Sequence, residues 1–105
     1  MNQVKTWIHC GEAYHAGYTG KGVGVAVLDT GIFPHVDFDD RIIAFADMVQ
    51  KKRKAYDDNG HGTHISAIIG GSGTASDGRY QGIAPECNLI SIKVLDERAM
   101  DLPPM

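Results

Sequence analysis

The chain has 105 residues, enough for one small domain, and 43% of them are hydrophobic, which excludes a disordered polypeptide. Its 10 basic residues against 13 acidic ones leave a formal charge of -3. That balance argues against nucleic-acid and membrane-surface partners, and the one basic run, "QKKRK" at 50–54, reads as a solvated face.

Along the chain, Val4, Trp7, Ile8 and Ala13 stand near helical spacing, and the glycines of "HAGYTGKG" then break the pattern, so a short helix ending near Gly17 is expected. "VGVAVLDTG", 23–31, is a short apolar run closed by Asp-Thr-Gly, the pattern of a strand buried on both faces. "RIIAFADMV", 41–49, and "NLISIKVLD", 88–96, are two further candidate strands. Between them "HGTHISAIIGG" sets Ile65, Ile68 and Ile69 on one helical face, with Gly70 and Gly71 past the end. "GGSGTASDGRYQG", 70–82, reads as a surface loop. The order strand, strand, helix, strand predicts an α/β fold with a parallel sheet.

The chain holds no run of the about eighteen apolar residues that a membrane span needs, and its first residues lack an apolar leader core. A cytoplasmic location is therefore expected. Cys10 and Cys87 match no zinc or Cys-x-x-Cys spacing, so two reduced thiols are expected.

Two places carry chemistry. Asp29 falls at the carboxyl end of the first strand, the edge of an open α/β sheet where ligands and catalytic groups collect, although an aspartate before Thr-Gly also suits a plain turn. His61 follows Asn59-Gly60 and opens the helix, where the dipole disfavours an imidazolium and a nearby carboxylate favours it; a base held between those influences suits proton transfer. His64, one turn on, is expected to point into the packing as a hydrogen-bonded structural histidine.

"VAVLDTGI" with "HVDF", then "DNGHGTHISAIIGGSG", then "GIAPECNLISIKVLD" resembles the N-terminal part of a subtilisin-like serine protease, over about residues 4–96. The 32 residues from Asp29 to His61 equal the separation in subtilisin itself, whose triad runs aspartate, histidine, serine. The resemblance implies an incomplete three-layer fold, a parallel sheet with helices on its faces, and a peptide or protein substrate. It makes Asp29 the carboxylate that orients the imidazole and His61 the general base. Gly60 and Gly62 would allow close backbone approach, with Thr63 and His64 supporting the helix. It implies Asp37 as a possible calcium ligand. The loop at 70–85 departs from the asparagine-rich loop of secreted calcium-binding members and looks more like intracellular bacterial ones.

The family's serine lies in a Gly-Thr-Ser-Met-Ala-type segment, and Ser66, Ser72, Ser76 and Ser91 have no such context. The oxyanion asparagine and peptide-binding strands are not in this sequence either. The chain alone is expected to be inactive, a fragment whose sheet has an uncovered face or edge and which tends to aggregate. Residues 1–98 read as part of a catalytic domain and 99–105 as a divergent tail. One choice of codons for the last residues, with a single G restored after Arg98, reads Arg-Gly-Asn-Gly-Ser-Thr-Ala-Asn, so a lost base is expected.

Three rival readings compete. An Asp-Thr-Gly aspartic protease would use Asp29 in an all-β dimer and leave the histidines idle. A metal-binding module would use His61 and His64 with His35 or Asp57. The third is a non-enzymatic interaction piece.

Overall fold

The computed structural model describes residues 2–100, with the side chains of residues 2 and 3 left aside. Most of the proposed tail, 101–105, lies outside the described residues.

Where one N-terminal helix is expected there are two, α1 (Asn2–Trp7) and α2 (Cys10–His15). His9 breaks them with a left-handed backbone at φ 62°, a conformation that costs a non-glycine residue about 1 kcal/mol or more. The apolar spacing misleads here, since Trp7 is 74% exposed and Cys10 is the residue that is buried.

Strands β1 (Gly24–Asp29), β2 (Ile42–Asp47) and β3 (Asn88–Lys93) form one parallel sheet in the order β1-β3-β2. Helix α3 (His61–Gly70) lies between β2 and β3 in the chain and packs on one face. The core beneath it comprises Val27, Ile32, Phe38, Cys87 and Leu89, with Ile65 and Ile69 against them. Full burial of Leu89 alone removes enough apolar surface to contribute about 2 kcal/mol. The α/β expectation holds.

Double-sided burial of β1 does not. Val27 and Asp29 face inward, but Leu28 is 59% exposed, and on the far edge strand β2 Ile43 is 56% exposed. Among the described residues no helix covers this face, so the third layer of the expected fold is absent from them. Residues 51–54 of the basic run are exposed, with the Lys52 ammonium 4.7 Å over the Tyr56 ring.

The surface that α3 turns inward also differs from the expected isoleucine face. Its buried residues are Gly62, Ser66 and Gly70, spaced four apart, while Ile65, Ile68 and Ile69 are half-buried beside them. A Cβ on Gly62 would collide with the carbonyl oxygen of Gly31, and one on Gly70 with the Cys87 sulfur. Small residues thus let α3 lie against the sheet and bring its first turn to the end of β1.

Candidate active site

β1 ends at Asp29, which is almost wholly buried, and the backbone N–H of Thr30 donates to its Oδ1 at 2.7 Å. Across the sheet edge, Nδ1 of His61 lies 2.9 Å from both Oδ1 and Oδ2 of Asp29. A carboxylate only accepts, so Nδ1 carries the shared proton, and in the neutral imidazole Nε2 keeps its lone pair. The aspartate side chain is 12% exposed and the imidazole 55%, so the pair has a sheltered end and an open end.

Asp57, which sequence reasoning treated only as a possible metal ligand, organises the loop that delivers His61. Its Oδ1 accepts from Thr30 Oγ1 at 2.8 Å and from the N–H groups of Asn59 and Gly60 at 3.1 and 2.8 Å. Its Oδ2 accepts from the Thr63 N–H at 2.8 Å and from Thr63 Oγ1 at 2.5 Å. The Gly62 N–H in turn donates to Thr30 Oγ1 at 2.9 Å. One carboxylate thereby caps α3 and ties it to the residue after Asp29. Desolvation pushes the Asp57 carboxyl up, but the bonds from Thr63, Gly60 and Thr30 outweigh it and hold it well below the usual carboxylate range. An aspartate three residues before Gly60 and six before Thr63 was the available signal.

Gly60 serves through its backbone rather than through close contact: φ is 103° and open space surrounds its Cα. Thr63 supports the helix as expected, and its Oγ1 also accepts the Phe33 N–H at 2.9 Å. His64 does not. It is exposed and, with Phe33, His35, Asp37 and Phe38, lines a surface pocket of about 420 Å³. The reason is helical geometry, because with Gly62 facing the sheet a residue two positions on turns about 200° away.

The metal-module ligands are not drawn together. His61 is committed to Asp29, Asp57 to Thr30 and Thr63, and the His35 Nδ1 accepts the Asp37 N–H at 3.2 Å. The Asp37 Oδ1 accepts the Ala75 N–H at 2.7 Å, and among the described residues no three His, Cys, Asp or Glu side chains converge as a metal site. The parallel α/β sheet removes the all-β aspartic-protease reading of Asp29.

No serine reaches His61 among the described residues. Ser66 and Ser91 are buried, Ser72 Oγ pairs with Thr74 Oγ1 at 2.6 Å, and Ser76 Oγ donates to the Gly73 carbonyl at 3.2 Å.

Comparison with known proteins agrees with this geometry. Residues 20–102 match the subtilase family, peptidase S8. The chain is 55% identical over 92 residues to the serine protease AprX of Bacillus subtilis, covering 86% of this chain and 21% of that protein. It is 44% identical over 89 residues to the minor extracellular protease Epr of the same organism, covering 82% of this chain and 13% of Epr. A solved cold-adapted subtilisin-like serine proteinase superposes with a TM-score of 0.69 at 32% identity, over 81% of this chain and 29% of that one. The chain thus spans between about an eighth and three-tenths of these proteins. A parallel sheet carrying this aspartate and histidine, matched across most of its length, places the chain in the subtilase family.

Proposed function

We propose that the chain is the aspartate–histidine half of a subtilisin-type serine endopeptidase, with peptides or proteins as substrates. The observation that carries this is the 2.9 Å approach of His61 Nδ1 to both Asp29 oxygens at the carboxyl edge of the sheet. In this reading Asp29 fixes the tautomer and steadies the imidazolium. The exposed Nε2 of His61 takes the proton of a serine hydroxyl as that oxygen attacks the peptide carbonyl, then returns it to the leaving amine. The serine comes from outside the described residues, so the 105-residue chain alone is expected to hydrolyse nothing. Calcium has no step in this scheme.

Two buried free thiols, Cys10 and Cys87, support a reducing compartment, in keeping with a cytoplasmic address and a likeness to intracellular members. No helix among the described residues is long and apolar enough to cross a membrane.

The test joins residues 1–98 to the serine-bearing remainder of the Bacillus subtilis relative. The chimera should cleave a chromogenic peptide and take up a serine-directed fluorophosphonate, and both should vanish in His61→Ala. Cleavage that survives that substitution would sink the reading.

A further inference from the structure

Lys93 ends β3, the central strand, with its side chain 0% exposed. An ammonium carries three donors, and all three are used: Nζ lies 2.6 Å from the Thr30 carbonyl oxygen, 2.7 Å from Asp58 Oδ1 and 2.9 Å from the Leu95 carbonyl oxygen. The Tyr56 ring closes the remaining side, its centroid 5.1 Å from Nζ. Burying a charge costs several kcal/mol before its partners are counted, so a buried ion pair by itself is weak evidence of stabilisation. What distinguishes this one is where its acceptors come from.

Thr30 is the residue after Asp29, and Asp58 stands three residues before His61. Leu95 belongs to the segment just past β3 whose Val94 and Leu95 N–H groups both donate to the Asp29 carbonyl, at 2.9 and 3.3 Å. One ammonium is therefore bonded to the segment that presents the carboxylate, to the loop that presents the imidazole, and to the segment past β3 that holds the Asp29 carbonyl. A side chain of equal length without the charge would fill the space and leave three oxygens unpaired.

We propose that Lys93 is a positioning residue for the Asp29–His61 pair, holding the end of β1 and the loop before α3 in one frame through the Thr30 carbonyl and the Asp58 carboxylate. The proposal rests on Asp29 and His61 being the working pair. Its action is geometric: Asp57 caps the helix, while Asp58 anchors the same loop to β3 and sets how far the imidazole stands from the strand end.

Proton NMR of the full 105-residue chain tests it, read at the downfield Nδ1–H signal of His61 and its exchange with water. The parent should show the signal. Asp58→Ala should speed its exchange by at least about tenfold with the β1 and β3 amide pattern retained, since one anchoring charge-assisted bond is lost. Asp58→Glu should restore slow exchange, and Lys93→Met should abolish the signal. Unchanged exchange in Asp58→Ala overturns the role of Lys93 and leaves the pair standing. No signal in the parent overturns the Asp29–His61 pairing, and this proposal with it. If Lys93→Met does not fold, Asp58→Ala and Asp58→Glu decide.

Discussion

Asp29 meets His61 with both of its oxygens at one distance, 2.9 Å from Nδ1. Asparagine in its place would present one acceptor and one amide donor, and could hold the imidazole in the opposite tautomer. Asp29→Asn should therefore abolish the downfield Nδ1–H signal of His61. In the chimeric protease it should lower kcat by about four orders of magnitude with little change in KM, as a wrong tautomer does in a serine-protease triad. A steady-state assay against the unsubstituted chimera checks it, and a loss below tenfold would argue that Asp29 does not orient the base.

Asp57 accepts five hydrogen bonds from the loop, from Thr63 and from Thr30. Asp57→Ala leaves those donors without their charged acceptor and should cost about 2–4 kcal/mol in urea unfolding. Thr30→Val removes one donor and the acceptor of the Gly62 N–H, and should cost about 1–2 kcal/mol. A smaller loss for Asp57→Ala than for Thr30→Val would show that Thr30, not Asp57, is the main tie of this loop.

Acid should unfold the chain through Asp47 and Asp57. Desolvation raises the Asp47 carboxyl, but hydrogen bonds from the Tyr56 hydroxyl and the N–H groups of Gln50, Lys52 and Val49 outweigh it and bring it from 3.8 down to about 2. Asp57 is displaced in the same direction. A folded-state value below the unfolded one means that the stabilisation is complete above about pH 4 and is lost as the pH falls toward about 2. Melting temperatures across that window should drop, and Asp47→Asn should flatten the slope. An unchanged slope would show that the ordering of residues 49–52 does not depend on ionised Asp47.

Gly62→Ala should separate the two halves of the site. The added methyl meets the Gly31 carbonyl oxygen and the Thr30 hydroxyl, and neither is a flexible side-chain end. Helix α3 must move away, the Asp29–His61 bond should break, and stability should fall by about 1–3 kcal/mol. The His61 Nδ1–H signal surviving in this variant would mean that the helix has more room than its contacts indicate.

Ala99 has a left-handed backbone, φ 59°, the region that favours glycine. Ala99→Gly should stabilise by up to about 1 kcal/mol in urea unfolding. Destabilisation by the substitution would show that the left-handed turn at 99 is not kept in solution.

Strands and helix were legible because each is a compact apolar run ending in turn residues: 23–31 contains β1, 41–49 contains β2, 88–96 contains β3, and 61–69 is nearly all of α3. Asp29 and His61 were legible through a motif whose spacing the fold brings together. Apolar periodicity misjudged α1 and α2, because it registers Trp7 and Ile8 as inward without knowing that no neighbour covers them. It also favoured the isoleucines of α3 over Gly62, Ser66 and Gly70, since a close approach depends on missing atoms that hydrophobicity does not weigh. Lys93 could have been found by parity, as it follows Leu89 and Ser91 on the buried side of β3. Asp57 showed only its local spacing to Gly60 and Thr63; its bond from Thr30 could not be read, because which distant donors a carboxylate meets depends on tertiary structure.

The strand at the middle of the sheet is the last of the three to be synthesised. On the ribosome, β1 and β2 leave the exit tunnel with no hydrogen-bonding partner in the sheet, and both wait for Asn88–Lys93 to slot between them. The nascent chain before that moment offers bare ladder edges to chaperones or to other nascent chains, and the last residue of the arriving strand, Lys93, is also the one that bonds both the Thr30 carbonyl and the Asp58 carboxylate.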